Sequence, residues 1–213
     1  MTAIAGFRAP YLSSNDAMFD ALTQSGFRYD SSLSACLADS DDGSNCPWPY
    51  TLAGGTPDNR MIRSHPGLWE VPPTGLVVPP DDVAARYGFE AGLRQRMAAR
   101  GVGGKVIGMD FPLLVDVGIS GDEMRAILSY NLDLHLEGNR APLVFVAHAH
   151  LYAFSNPQHN PDTPSLAERD ARWKGLADFI DYALSKPEVR IVAAGDVVTW
   201  MEEAIGGSPP ASR

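Results

Sequence analysis

Three polar side chains fall where α/β sheets gather their chemistry, at the carboxyl ends of apolar runs: Arg8 after "AIAGF", Asp30 after "GFRY" and His148 after "VFVA". An arginine there clamps a carboxylate of the substrate or the protein, or makes a surface salt bridge of little weight. A histidine there moves protons or binds a metal. An aspartate there orients the histidine by accepting its ring N–H, or caps the turn at Ser31 and Ser32. His150, two residues past His148, falls on the same side of an extended chain. His-x-His is a fair metal-ligand spacing, yet without a third ligand a pair of hydrogen-bonded loop histidines accounts for it better. Pro10 makes Ala9 extended, so the chain turns outward just after Arg8. Trp48, Tyr50 and Trp69 lie in Pro-rich loops, where aromatics either stack on sugar rings or pin the loops onto the core.

The elements that must position these groups follow from periodicity. Residues 3–7 read as a short buried strand. Asn15 or Ser14 caps a helix over 16–25, with Met18, Phe19 and Leu22 at helical spacing and Gly26 ending it. "FRYDSSL" is a second strand, so the opening is strand–helix–strand, the unit of a parallel sheet. Residues 34–82 form a long Pro- and Gly-rich loop region with one strand at "LWEV", and that length points to function. A helix is expected over 88–100, stopped by Gly101. "KVIGMDFPLLVDVG" fits either state. Ser120 with Glu123 and Ser165 with Glu168 are capping-box patterns opening two helices. The first carries Met124, Ile127, Leu128 and Leu132. The second carries Trp173, Leu176, Ala177, Ile180, Ala183 and Leu184 as an apolar stripe. "PLVFVAH", 142–148, is a continuous apolar run and reads as a buried strand. "VRIVAA" reads as a strand, "DVVTWMEEAI" as a last helix, and 207–213 as a flexible tail. Alternating strands and helices predict α/β, barrel-like or doubly wound.

A chain of 213 residues with 45% apolar and 20% charged residues suits one globular domain. A net charge of −9 argues against a nucleic-acid partner. No apolar run is long enough to span a membrane, and "MTAIAGFRAPY" does not read as a signal peptide. Cys36 and Cys46 flank a polar loop and fit a short disulfide in an exported protein or two thiols in a cytosolic one.

"GFRAPYL" is similar to the third motif of the polysaccharide deacetylases, the NodB-homology carbohydrate esterases. "GFRYDSSLS" resembles the segment that follows it. "CPWPYTL", "PGLWEVP", "APLVFVAHAHLY" and "KPEVRIVAAGDVVTWMEE" resemble, in the same order, the later half of chitin-deacetylase-like members. The resemblance covers about 6–72 and 140–204; 84–118 matches less well. It implies a distorted (β/α)7 barrel and metal-assisted hydrolysis of N-acetyl groups on a chitin-like glycan. In that family a divalent metal, usually zinc, is held by Asp-His-His, an aspartate is the base and a histidine the acid. Carried over, Arg8 would orient the base, the backbone N–H of Tyr11 would hold the oxyanion, and His148 would be the acid. Asp30 would orient His148, in a segment that departs from the usual Asp-and-Trp pattern. Val146 would line the acetyl pocket, and Trp48, Tyr50 and Trp69 would contact the glycan.

The family's first two motifs, Thr-Phe-Asp-Asp and His-x-x-x-His, are not in this sequence. Asp41–Asp42 and Asp81–Asp82 follow no Thr-Phe, and His65, His135, His148, His150 and His159 contain no i, i+4 pair. The expectation is therefore the C-terminal part of one deacetylase domain, 1–206, with an incomplete barrel. Alone it would bind no catalytic metal, be inactive and associate through an open sheet edge. A carbohydrate-binding remnant, or a subunit completed by a chain bearing the two motifs, are the alternatives. An extracellular or periplasmic location follows from the substrate class.

Overall fold

A computed structural model describes residues 4–56, 62–153 and 164–205. The expected tail at 207–213 and most of the polar loop containing His159 lie outside the described residues. The protein is mixed α/β and divides into two compact units, where the sequence reading takes 1–206 as a single domain. Met1–Ala35, Pro47–Pro73 and Ile191–Arg213 form the first; Cys36–Cys46 and Thr74–Arg190 form the second.

The first unit holds a four-stranded sheet of β1 (Gly6–Phe7), β2 (Tyr29–Asp30), β3 (Tyr50–Thr51) and β4 (Trp69–Glu70), in the order β1-β2-β4-β3. β1, β2 and β4 run parallel, with Phe7 opposite Asp30 and Asp30 opposite Glu70; β3 pairs antiparallel with β4. Helix α1 (Asp16–Gln24) makes the crossover from β1 to β2. Asn15 caps it by accepting from the Met18 N–H at 2.9 Å. Gly26, at φ 77°, turns the chain back toward the sheet in a left-handed conformation that glycine adopts without strain. Phe19 and Leu22 on α1 are buried with Leu33, Leu52 and Leu68 as this unit's core. Burial of each such side chain stabilises by about 1.5–3 kcal/mol.

The last helix, α6 (Ala194–Ile205), belongs to the same unit, and Arg28 donates to Thr199 at 3.2 Å and to Glu202 at 2.7 Å. The run before it, "VRIVAA", is not a strand. Ile191 and Val192 are more than half exposed, and no ladder forms along them among the described residues. An apolar pattern suits a strand, but a strand exists only beside a neighbour that takes its hydrogen bonds.

In the second unit β5 (Gly75–Val77) pairs antiparallel with β6 (Lys105–Ile107). Short helices α2 (Ala84–Tyr87) and α3 (Leu93–Ala98) follow β5. The helix expected over 88–100 is shortened to α3, because Gly88 and Gly92 both take left-handed φ and delay its start. Two long helices complete the unit, α4 (Gly121–Glu137) and α5 (Leu166–Leu184), and both open with the expected capping boxes. Met124, Ile127, Leu128 and Leu132 are buried. α4 packs on α5 where Gly121 meets Ala171 and Gly175, backbone against backbone, with no room for a Cβ at either glycine. The α5 stripe is only partly used: Ala183 is buried and Leu176 packs on the core, while Trp173, Ile180 and Leu184 are exposed. Cys36 and Cys46 form a disulfide, Cα–Cα 5.2 Å.

The segment 105–118, compatible with either state in sequence, holds both. β6 is followed by a single parallel bridge, Met109 with Val146, and then by a π-helical stretch at Pro112–Val117. The expected buried strand at 142–148 is reduced to that bridge. Leu143, Val144 and Phe145 are half-buried. The Val144 N–H donates to the Thr74 hydroxyl at 2.9 Å rather than to a backbone carbonyl, which breaks the ladder there. Two separate small sheets result, and the described strands show no closed barrel.

Candidate functional site

The Met109–Val146 bridge aims two chain ends the same way, because its pairing is parallel. The Asp110 N–H donates to the Val146 carbonyl at 3.0 Å, so Asp110 and His148 leave the same end of this short ladder. The His148 N–H donates to Asp110 Oδ2 at 2.7 Å, and His148 Nδ1 lies 2.5 Å from Asp110 Oδ1. An ionised carboxylate only accepts, so Nδ1 carries the proton of that bond and Nε2 is the ring's acid–base atom. Asp110 is fully buried, while the His148 side chain keeps 34% of its surface in solvent. The Tyr152 hydroxyl, which donates to Met124 Sδ at 3.9 Å, is pushed up by burial and then by the Asp110 charge. Phe111 stands edge-on to His148 at 6.0 Å, and the His148 and His150 rings are 5.7 Å apart.

The carboxylate on His148 is therefore Asp110, and the role expected of Asp30 is corrected. Asp30 accepts instead from its own turn, from Ser32 N at 2.8 Å and Ser32 Oγ at 2.9 Å, and is fully buried. Burial pushes its carboxyl up, against the hydrogen bonds that hold it down. Sequence reasoning missed Asp110 because its segment fitted both strand and helix. The available signal was a lone acid closing the apolar run "KVIGM".

Arg8, in the first unit, is half-buried. Its Nε donates to the Ser31 carbonyl at 2.9 Å and its Nη2 to Ser31 Oγ at 2.7 Å. Burial lowers the guanidinium's pKa; attraction to Asp30, Glu70 and Tyr29 opposes that. Just beyond, Tyr11 and Leu12 both take left-handed backbone, φ 56° and 55°, and Tyr11 is fully exposed. The turn is tied by Leu12 N to the Ala9 carbonyl at 3.0 Å and by Ala9 N to Ser32 Oγ at 2.8 Å.

The three loop aromatics hold structure. Trp69 is 5% exposed within β4, so it offers no face to a sugar. Tyr50 packs against the Phe19 cluster, and Trp48 stacks on Trp200 at 5.8 Å. Val146 is buried at the bridge. Arg8, Tyr11, Asp30, Trp48, Tyr50 and Trp69 belong to the first unit, Val146 and His148 to the second.

Among the described residues no three His, Cys, Asp or Glu side chains are grouped to hold a metal ion. The nearest approach in composition is taken up internally: buried His65 lies 2.9 Å from Asp16 and 3.2 Å from Asp20, two carboxylates that Arg63 also bridges. No helix among the described residues is long and apolar enough to cross a membrane. A scan of the chain against protein-family models gives no match, and a search of the curated proteins gives none.

Proposed function

We propose that the chain carries the acid side of a metal-dependent N-deacetylase site for a chitin-like, N-acetylated glycan. The supporting observation is the His148–Asp110 pair: a carboxylate fully out of water holds by Nδ1, at 2.5 Å, an imidazole with a third of its surface in solvent. An amine leaves an acetyl carbon only if its nitrogen is protonated as the C–N bond breaks. His148 Nε2 supplies that proton, and Asp110 fixes the ring's plane and tautomer through Nδ1. Phe111, an aromatic directly after Asp110, gives the acid-then-aromatic pattern that Asp30 lacks.

Arg8 belongs to the other side of the reaction. Its guanidinium, held by Ser31, is suited to steady the carboxylate base through an ion pair. The base and the metal ligands are assigned to Thr-Phe-Asp-Asp and His-x-x-x-His segments, which this sequence does not contain, within a NodB-type barrel. No step is derived through the ion. The Cys36–Cys46 disulfide supports an extracellular or periplasmic location.

The test is acetate release from N-acetylglucosamine oligomers. The chain alone, with added zinc, is expected to release none. Combined with a polypeptide bearing Thr-Phe-Asp-Asp and His-x-x-x-His segments, it is expected to release acetate, and His148→Ala to abolish that. A combination inactive at every zinc concentration overturns the reading. Stoichiometric tight zinc with turnover by the chain alone overturns the division of roles.

A further inference from the structure

Two acids are buried side by side in the sheet that ends at Arg8. Asp30 closes β2 and Glu70 closes β4, and these parallel strands place the two residues directly opposite each other. Opposite residues project to the same face of a sheet. Both are fully buried. Asp30 accepts the two Ser32 bonds, and Glu70 Oε1 accepts from the Leu33 N–H at 3.1 Å. Two full negative charges side by side at this depth would repel with little solvent to screen them, and one shared proton removes that repulsion. Arg8 at the end of β1 and Tyr29 on β2 are the other titratable groups that interact here, and Tyr50 on β3 lies opposite Glu70.

We propose that Asp30 and Glu70 hold one proton between them at neutral pH, and that the single negative charge they then present positions Arg8. The proton resides on Glu70. Asp30 is the anion, because Ser32 N and Ser32 Oγ both direct donors at it, whereas Glu70 accepts from the Leu33 N–H. One anion matches one guanidinium. Arg8 then needs only the Ser31 carbonyl and hydroxyl to fix its plane, and Ser31 Oγ is itself anchored by donating to the Val71 carbonyl at 2.6 Å. The pair is a positioning device, since neither acid reaches solvent. What Arg8 is positioned for rests on the proposed function; the proton count does not.

Infrared spectroscopy of the whole chain tests it. A protonated-carboxyl band is expected in the wild type at neutral pH and is expected to be lost in Glu70→Gln. Raising the pH should remove the band and lower stability in the wild type. Glu70→Gln cannot ionise, so its stability should stay flat over that range. The Arg8 Nε–H resonance should persist in Glu70→Gln and broaden in Asp30→Asn. A wild type with no such band at neutral pH overturns the proposal, as does an alkaline stability profile shared by wild type and Glu70→Gln. If Glu70→Gln does not fold, the wild-type band and its alkaline loss decide alone. None of these readouts involves deacetylation, so they stand or fall separately from the activity test.

Discussion

Asp30 and Asp110 each sit fully buried at the end of a short parallel pairing, and each accepts a backbone N–H and a side-chain donor from residues two or more positions away. They differ in what lies on the far side of the donor. Behind Asp30 stand Ser32 and Glu70, both buried. Behind Asp110 stands an imidazole with a third of its surface in water. A buried carboxylate is by itself a structural feature. It becomes part of a chemical site when it hands its charge to a group that a substrate can reach. That difference separates a region that holds Arg8 in place from one that can deliver a proton.

The largest effect should come from breaking the second region. In the combined deacetylation assay, Asp110→Asn is expected to lower turnover about 10²–10⁴-fold, the usual worth of a correctly oriented general acid. In the chain alone, the Nδ1–H proton resonance of His148 should vanish in Asp110→Asn and be unmoved by Asp30→Asn. If Asp30→Asn shifts it equally, the two carboxylates are not separate sites. Next in size is Asp30→Ala, which strips the acceptor from Ser32 N and Ser32 Oγ inside the core. Removing one member of a buried charge network costs about 3–5 kcal/mol, to be read from urea midpoints. A loss under 1 kcal/mol would mean that water reaches this site.

The pH dependence of stability sharpens the contrast, because the two units bury groups of opposite sign. In the second unit His135 is buried on α4, its Nδ1 2.6 Å from the Ala141 carbonyl, and burial holds its pKa below the ordinary 6.5. The unfolded chain takes up this proton near 6.5 and the folded one resists it. His135's contribution is therefore complete above that pH and is lost as the pH falls through it. Asp30 works the other way. Its carboxyl is raised above 3.8, so the folded chain keeps the proton longer. Its contribution is complete below about 3.8 and is lost as the pH rises through the folded value. Urea midpoints across a pH series should show the acid-side loss disappear in His135→Asn while the opposite slope remains. A His135→Asn profile identical to the wild type would show that other groups govern the acid limb.

Local devices were legible in the sequence, and pairings were not. The Asn15 cap and both capping boxes bind a side chain to a backbone N–H three residues on, so a short window contains the whole interaction. The runs 142–148 and 189–194 have strand composition, but whether either pairs depends on what lies beside it. One became a single bridge and the other stayed exposed. The same limit explains the site. His148 stood out at the end of its run, while its partner Asp110 is 38 residues away in a segment that fitted two states. Asp30, the nearer-looking acid, was already satisfied by the serine two places on, one of its readings as a turn cap. Trp69 falls in the strand expected at "LWEV", but its burial between β2 and β3 depends on neighbours distant in sequence.

The smallest expected effect is a gain, and it falls beside Arg8. Tyr11 holds φ 56° and ψ 18° while its ring contributes no burial, so the fold bears the strain without packing in return. A left-handed conformation costs a non-glycine residue roughly 1–2 kcal/mol. Glycine removes that cost but gives back about 0.5–1 kcal/mol of backbone entropy. Tyr11→Gly should therefore stabilise the chain by about 0.5–1 kcal/mol, seen as a higher urea midpoint with an unchanged slope. The matching change at a residue with ordinary backbone, Phe111→Gly beside Asp110, can only destabilise, since Phe111 has helical φ/ψ and packs on the second core. A loss of stability in Tyr11→Gly would mean that the turn beyond Arg8 is held by the tyrosine ring and not by the bonds from Ala9, Leu12 and Ser32, and the rigid support assigned to Arg8 would lose its outer half.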